Sequence, residues 1–425
     1  MTSAAEAQQL LREGRVNEAE RAFQAILEAD PEHVEALNVT GLIALRDGAT
    51  ARALSLLGRA AALHAANPMT HHHLGLAHEA GGDLHSAIAS QRQALQLRPE
   101  FHVARLHLGR LLQQAEQPMQ AAIQYARALQ EAQGQGQWLN PATTPAALRA
   151  TVETAVLQVR TYRRSAITEL FAPLRARYGH DALRRVEACL SVHLNEVSPG
   201  YADPRQLPTF LYFPGLPASA YLDRALFPWI PALESHTGRI REELLALLPS
   251  DRGRERVFTT DELEQLNLRG LDQPPSWNGY YFYRHGEQRE DNCAACPFTA
   301  ATLEELPLAR IRAHGPEVLF SVFTPGTHLL PHRGVTNTRL VGHLPLMVPQ
   351  DCALKVGGEL HQWQEGRVVI FDDTYEHEAW NRSGTTRVVL IFDIWNPYLT
   401  EAECAAISDL IPAIGDFREA VETAH

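Results

Sequence analysis

The sequence contains no run of about 18 consecutive apolar residues, the length that a membrane-spanning helix needs. Its first fifteen residues, MTSAAEAQQLLREGR, also lack the basic start and apolar core of a secretory signal. Cysteine is scarce, because a chain of 425 residues has five, and an odd number argues against a disulfide scaffold. From these absences we expect a cytoplasmic protein that does not have the membrane as a partner.

Basic residues are fewer than acidic residues in this chain. The chain has 38 Lys and Arg against 50 Asp and Glu, which gives a formal net charge of -12. An acidic chain of this kind argues against nucleic acid as a general partner. The hydrophobic content of 45% and the length predict a folded protein of two or three domains.

The N-terminal third repeats itself every 34 residues. Three sets of small residues recur at this spacing: Gly14, Gly48 and Gly82; Ala19, Ala53 and Ala87; and Ala7, Gly41, Gly75 and Gly109. The pattern resembles the tetratricopeptide repeat, a helix–turn–helix unit whose small residues lie where its two helices cross. We expect the fourth unit to drift by one residue around positions 116–118.

Repeats of this type stack into a curved solenoid, so residues 1–135 are predicted to form an all-α array. The function that we expect is binding of a peptide or protein, and the alternative is a purely structural or oligomerising scaffold. A Gly- and Pro-punctuated segment, QGQGQWLNPATTP, then opens a helical linker or capping region, predicted over residues 136–200.

From about Gln206 the chain changes to short runs rich in aromatic and β-branched residues. The predicted strands are LPTFLYFPGL, GYYFYRHG, EVLFSVFTPG, LPLMV, GRVVIFDD and TRVVLIFDIW. A helix is expected over residues 225–248, and a last one over residues 401–425. Several short strands at regular spacing favour a barrel or jelly roll over a parallel sheet, and we place this domain at residues 201–400.

Three residues in this half have the spacing of a metal and anion site. His332 and His377 are 45 residues apart, and Arg387 follows ten residues later at the start of an apolar strand. Two imidazoles can hold an iron ion, although many such sites add a carboxylate two residues after the first histidine, where this chain has Gly334. A buried guanidinium needs an anion, so Arg387 meets either a protein carboxylate or an acidic ligand such as 2-oxoglutarate.

Three segments, FSVFTPGTHLLPHRGVTNTRLVGHLPL, GRVVIFDDTYEHEAW and RVVLIFDIWNP, resemble the aspartyl/asparaginyl β-hydroxylase family. The resemblance covers roughly residues 205–400, and animal members of the family also carry tetratricopeptide repeats before this domain. It implies a double-stranded β-helix, or cupin-like jelly roll, and an oxygenase that uses Fe(II), 2-oxoglutarate and O2. The implied reaction is hydroxylation of the β-carbon of Asp or Asn in a peptide or protein that the repeats present.

The same resemblance implies roles for single residues. His332 and His377 would be the two protein ligands of iron, with Gly334 at a vacant carboxylate position. Arg387 would bind the distal carboxylate of 2-oxoglutarate. Ser321 would supply a hydroxyl that helps Arg387 with this carboxylate. His343 would lie beside the keto-acid end, and the alternative for it is a strand histidine packed on the barrel wall.

On the substrate side, the resemblance implies that Arg339 faces a substrate carboxylate. Asp373 is expected to face the substrate or to order its loop, with a plain turn Asp as the alternative. The chain departs from the family at Val341, where the animal enzyme has a second Arg. This departure leaves the substrate class open. Three further candidates for substrate contact are Trp277, Arg284 and Arg289, whose alternative is core packing for the Trp and a solvated rim for the two Arg.

The Cys293-Ala-Ala-Cys296 pair has the spacing of a redox pair or half a zinc site, but a structural or incidental pair is favoured. Two alternatives to the peptide hydroxylase stay open at this point. One is the same oxygenase chemistry on a small-molecule, carrier-bound or lipid substrate. The other is a non-catalytic scaffold that binds peptide.

Overall fold

The computed structural model describes residues 3–249, 253–257 and 276–424. Its contacts divide the chain into two compact units, residues 1–166 with 416–425 and residues 167–415. No described helix has both the length and the apolar composition that crossing a membrane requires. A helical repeat region followed by a β-rich region is thereby confirmed, whereas the exact domain boundaries stay predictions.

The first unit is built from helices that pair with their neighbours in the chain. Its helices are α1 Ala4–Arg12, α2 Val16–Ala29, α3 Val34–Arg46, α4 Thr50–Leu63, α5 Pro68–Ala80, α6 Leu84–Leu97, α7 His102–Gln114, α8 Pro118–Gly134 and α9 Arg149–Leu170. The starts of α2, α4, α6 and α8 are each 34 residues apart, as are those of α3, α5 and α7. The expected drift of the fourth unit is therefore wrong.

The turn inside each helix pair explains the recurring glycine. Gly14, Gly48 and Gly82 have φ of 74°, 75° and 79°, a left-handed conformation that glycine adopts without steric cost. In the fourth unit Glu116 takes the same conformation at φ 57°. The backbone therefore keeps the turn where the sequence has lost its glycine, which is why the sequence suggested a drift.

The second recurring series marks the crossing of the two helices in a pair. A Cβ atom on Gly41 would lie 2.7 Å from Leu57, and one on Gly109 would lie 2.6 Å from the ring of Tyr125. Tyr125 is fully buried, so its ring has little freedom to move aside. Small residues are thus needed here for close packing.

Replacing Gly109 with alanine is expected to lower the free energy of unfolding of this unit by about 1–3 kcal/mol, because the added methyl group overpacks the crossing. Gly58→Ala is the matched control. Gly58 lies within α4, and a Cβ atom added to it would meet no other atom within 4 Å, so alanine should raise helix stability by about 0.5–1 kcal/mol. Urea unfolding followed by circular dichroism measures both; equal effects of the two substitutions would contradict this account.

The second unit combines helices with two sheets, and its last element is a helix. Its other helices are α10 Ala172–Tyr178, α11 Arg184–His193, α12 Ile230–Ser235, α13 Thr237–Leu247, α14 Glu290–Ala295, α15 Pro297–Glu304 and α16 Glu401–Glu422. Its strands are β1 Arg254–Arg256, β2 Trp277–Arg284, β3 Glu287–Gln288, β4 Val318–Phe323, β5 His328–His332, β6 Arg339–Met347, β7 Cys352–Val356, β8 Glu359–His361, β9 Val369–Phe371, β10 His377–Asn381 and β11 Arg387–Trp395.

All strand pairs between these elements are antiparallel. The larger sheet has the order β1-β2-β4-β11-β6-β9, with β3 also on β2, and the smaller has the order β5-β10-β7-β8. Alternate residues of β11 face opposite sides of the larger sheet, as a strand requires. Leu390 and Phe392 pack in a core with α12 and α13, whereas Val389 packs with strands of the smaller sheet. The two sheets therefore enclose the side on which Arg387 lies.

Two sequence predictions for this unit are wrong. Residues 207–216 form no strand but only an isolated bridge at Leu211, since Pro208 and Pro214 lack the N–H that a ladder needs. The helix predicted over residues 225–248 is instead two helices, α12 and α13, which meet at His236. Pro231 lies in the first turn of α12, where the missing N–H costs nothing.

Candidate active site

Two imidazoles lie side by side on neighbouring strands of the smaller sheet. His332 ends β5, His377 begins β10, and the two are direct antiparallel partners. Their ring centroids are 4.0 Å apart. Nδ1 of His332 contacts the carbonyl oxygen of Leu330 at 2.9 Å, and Nδ1 of His377 contacts that of Tyr375 at 3.1 Å. Such contacts fix the orientation of each ring and leave Nε2 as the nitrogen that suits a metal.

The protonation state of this pair also suits metal binding. Burial lowers the pKa of His377 to about 4, and the neighbouring His332 acts in the same direction. Burial likewise lowers the pKa of His332. Both rings are therefore neutral near pH 7, which is the form that binds a metal ion. Within the described ranges, no group of three or more His, Cys, Asp or Glu side chains is arranged to hold an ion, so a metal here would have two protein ligands and would keep open positions.

A buried guanidinium lies on the larger sheet, on the side that faces the smaller sheet. Arg387 is 1% exposed, and its Nη1 donates to Ser321 Oγ at 3.1 Å. Its Cζ atom lies 4.1 Å from the ring centroid of Trp363 and 4.5 Å from that of Phe323. His343 joins this group, with its ring 5.8 Å from Trp363. We call Arg387, Ser321, His343, Trp363 and Phe323 the Arg387 pocket.

The Arg387 pocket holds three buried nitrogens that have no hydrogen-bond partner among the described residues. They are Arg387 Nε, Trp363 Nε1 and His343 Nδ1. Burial lowers the pKa of Arg387 to about 9, since no carboxylate offsets the loss of water. Burial and the charge of Arg387 also hold the pKa of His343 well below its usual value. Buried polar atoms are nearly always paired, so this pocket is suited to an anion that supplies several acceptors.

Phe371 connects the Arg387 pocket to the imidazole pair. Its ring centroid lies 4.9 Å from that of His343 and 5.7 Å from that of His377. The structure thus brings His332, His377, Arg387, Ser321 and His343 together, whereas the roles that the sequence analysis gave them stay predictions.

Gly334 is forced to be glycine by a neighbouring carboxylate. Its N–H donates to the backbone oxygen of Asp373 at 2.7 Å, which ties the two loops together. A Cβ atom on Gly334 would overlap the carboxyl group of Asp373. The space that an Asp or Glu at position 334 would need is therefore already filled by Asp373.

Gly334→Ala is expected to lower the free energy of unfolding by about 1–3 kcal/mol, because it overpacks this loop contact. In an Asp373→Ala background the same substitution should cost less than about 1 kcal/mol, since the overlapping group is gone. Thermal unfolding of the wild type, both single variants and the double variant measures this coupling. If the two costs were equal, the steric explanation for Gly334 would be wrong.

Arg339 lies between two carboxylates. Its Nη2 is 3.0 Å from Asp373 Oδ2, and its Nη1 is 3.0 Å from Asp393 Oδ1. Burial alone would lower the pKa of Arg339, but these two partners raise it overall. Burial raises the pKa of Asp393 to about 6. Arg339 is thus already paired with two protein carboxylates. Asp373 Oδ1, in contrast, is buried without a hydrogen-bond partner among the described residues.

The three other predicted substrate contacts lie in different places. Trp277 belongs with the Arg387 pocket, because its Nε1 donates to Ser321 Oγ at 2.9 Å. Arg284 lies at the other end of β2 and pairs with Glu255 at 2.5 Å. Arg289 lies 3.8 Å from the same carboxylate. The described contacts join neither arginine to the imidazole pair.

The two cysteines of the CxxC pair are free thiols. Cys296 is fully buried, and burial raises its pKa to about 12. Burial also raises the pKa of Cys293. Redox and zinc chemistry need the thiolate, so these surroundings favour the structural interpretation of the pair.

Sequence reasoning missed Trp363, Phe371 and Asp393 as parts of the site. Trp363 lies between β8 and β9, and no motif marks it. Asp393 does carry a signal: it is an acidic residue on the same face of β11 as Arg387, where an isolated charge would be costly to bury.

Comparison with known protein families fits this architecture. Residues 234–397 match the family model described as Aspartyl/Asparaginyl beta-hydroxylase. Residues 4–68 and 70–101 match two tetratricopeptide repeat models. Residues 234–397 therefore form an aspartyl/asparaginyl β-hydroxylase family domain. The recognition made from the sequence is confirmed.

Several curated proteins are similar to this hydroxylase-family domain. The human "Aspartyl/asparaginyl beta-hydroxylase" is 34% identical over 172 residues, which cover 40% of this chain and 21% of that protein. The "Ornithine lipid ester-linked acyl 2-hydroxylase" of Rhizobium tropici is 36% identical over 183 residues, or 42% of this chain and 62% of that protein. The human "Aspartate beta-hydroxylase domain-containing protein 2" is 32% identical over 214 residues, which cover 49% of this chain and 56% of that protein. Each match spans less than two thirds of the relative's own length.

Proposed function

We propose that this protein is an Fe(II)- and 2-oxoglutarate-dependent dioxygenase that hydroxylates the β-carbon of Asp or Asn residues in a peptide or protein. In this proposal the two sheets form the double-stranded β-helix, or cupin-like jelly roll, of such oxygenases. The repeat array presents the substrate chain. Both named relatives at 34% and 36% identity are hydroxylases by name, which supports an oxidative reaction.

The observation that carries the proposal is the Arg387 pocket, whose three buried nitrogens lack a hydrogen-bond partner among the described residues, beside a neutral imidazole pair. A dicarboxylate with a 2-oxo group suits both parts. One carboxylate would accept from the guanidinium of Arg387 and from the Ser321 hydroxyl, a planar recognition for which Arg is better shaped than Lys. The other end would reach past Phe371 toward His332 and His377.

The imidazoles of His332 and His377 would hold Fe(II) through Nε2. When bound, Fe(II) with 2-oxoglutarate and O2 supplies the oxidising chemistry, which releases succinate and CO2 as one oxygen atom enters a substrate C–H bond. The residues of this chain bind and orient the reactants. The apolar rings of Phe323, Trp363 and Phe371 exclude water from the space that the cosubstrate would occupy.

A second candidate is the same chemistry on a lipid acyl chain. It is favoured by the similarity to the Rhizobium protein, of which the chain covers 62%. The repeat array favours a protein substrate instead, because repeats of this type are suited to extended peptides.

One assay tests the proposed chemistry. Protein purified without oxygen is supplied with Fe(II), 2-oxoglutarate and O2, and succinate is measured with and without cell extract. We expect succinate to form only when all three are present. No succinate under any condition, together with no binding of 2-oxoglutarate, would leave the non-catalytic scaffold as the better explanation.

A further inference from the structure

The inward face of β6 divides the site into two halves. Arg339, Val341 and His343 alternate along this strand and so point to the same side. His343 belongs to the Arg387 pocket, which the keto acid would fill. If the keto acid fills that pocket, Arg339, Val341 and Asp373 are the residues beside β6 that are left for the substrate.

In this substrate half, the cation that β6 supplies, Arg339, is already paired with protein carboxylates. The guanidinium of Arg339 is 3.0 Å from both Asp373 and Asp393, so one cation serves two buried carboxylates. The next inward residue, Val341, is a buried aliphatic side chain that packs with Phe371 and Val389. A substrate carboxylate that entered here would meet one arginine shared by two carboxylates, and beside it the apolar side chain of Val341. β6 supplies no free cation to offset the free energy that the carboxylate loses when it leaves water.

The same half does offer a hydrogen-bond acceptor. Asp373 Oδ2 is used by Arg339, whereas Asp373 Oδ1 is buried and has no partner among the described residues. A carboxylate that pairs with Arg339 through one oxygen accepts hydrogen bonds through the other, so its complement is a donor such as an N–H group. A side-chain carboxamide is neutral and carries such a donor, and a carboxylate does not.

We propose that the substrate half selects a carboxamide side chain, as in asparagine, over the carboxylate of aspartate. The proposal rests on the hydroxylase function proposed above and narrows it to one substrate class. Asp373 Oδ1 accepts from the carboxamide N–H, and the pairing of Arg339 with Asp373 and Asp393 denies a carboxylate its cation.

Two matched peptide pools test this preference in the full-length protein. Each pool has random flanks that lack Asn and Asp, and the central residue is Asn in one and Asp in the other. Mass spectrometry counts peptides that gain one oxygen atom, and succinate is measured in the same reactions. We expect the Asn pool to react about 10-fold faster or more, the value of a hydrogen bond to a charged group. Equal rates, or a faster Asp pool, would overturn the proposal.

Two variants test whether these residues set the preference. Asp393→Asn frees part of the Arg339 charge, and Val341→Arg adds a cation on the same face. Each is expected to shift the Asn-to-Asp rate ratio toward Asp by about 10-fold. Asp393→Asn changes no side-chain volume of note, so it serves if Val341→Arg does not fold, which a melting curve shows. An unchanged ratio in folded Asp393→Asn would refute the assignment.

The remaining outcomes separate this inference from the proposed function. Oxygen gain in the acyl chains of ornithine-lipid vesicles, with neither peptide pool oxidised, would overturn the carboxamide class and keep the oxygenase. Succinate formation without oxidation of any probe would also overturn it, since the Asn pool presents the proposed group. Absence of both succinate and 2-oxoglutarate binding would remove the proposed function and this inference with it.

Discussion

Arg387→Met is expected to abolish measurable binding of 2-oxoglutarate and, at the same time, to stabilise the ligand-free protein. The guanidinium is 1% exposed and has no carboxylate partner among the described residues, and its burial lowers its pKa to about 9. Replacing a buried, uncompensated charge with an apolar side chain of similar length often stabilises a protein by about 1–4 kcal/mol. Loss of the charge that pairs with a buried carboxylate should weaken binding by about 100-fold or more.

The measurement is a thermal melt with and without 2-oxoglutarate. The wild type should gain stability with the ligand, because a ligand that binds only the folded state raises the melting temperature. Arg387→Met should start from a higher melting temperature and gain nothing. Arg382→Met is the control, since Arg382 is exposed and lies over the ring of Trp380 near the surface. A ligand response in Arg387→Met equal to that of the wild type would rule out the assignment of this pocket.

His377→Ala is expected to reduce Fe(II) affinity by more than about 100-fold and succinate formation to background. Only two protein side chains are available as ligands among the described residues of this site, so the loss of one leaves a single anchor. His332→Ala should behave in the same way. Anaerobic titration with Fe(II), with free metal followed by a chelating dye, gives the affinity.

His328→Ala is the matched control for the two ligand variants. His328 begins the same strand, β5, but its Nε2 contacts Glu378 at 2.9 Å rather than the imidazole pair. Its removal should leave the Fe(II) affinity within about twofold of the wild type, as a surface contact of this kind is worth little. Retained affinity in His377→Ala, or an equal loss in His328→Ala, would contradict the two-histidine site.

The sequence predicts the elements of this protein well where a period or a motif spans many residues. The 34-residue spacing located eight helices, and the alternation in β11 placed Arg387, Val389 and Ile391 on one face. The site residues His332, His377, Ser321 and His343 come together because strand pairing aligns positions far apart in the chain. The family resemblance assigned these residues to one site, and the structure supplies the strand pairing.

What the sequence could not supply was the set of side-chain partners. Position 116 has Glu where the other repeats have the turn glycine, so the sequence did not predict a left-handed turn there. The last repeat was therefore expected to shift out of the 34-residue register. The strand predicted over residues 207–216 failed because apolar content outweighed the effect of its prolines. The pairing of Arg339 with Asp373 and Asp393 joins three segments, and neither composition nor spacing reveals which charges will neutralise each other.

The direct pairing of His332 with His377 makes the metal site a property of one inter-strand register. Side chains alternate across a strand, so a slip of β10 by one residue against β5 would carry one imidazole to the opposite face. A metal ion held by both rings would therefore bind only the correct alignment and would disfavour slipped alternatives. The ion would then stabilise the correct register of the smaller sheet relative to slipped registers, independently of the substrate.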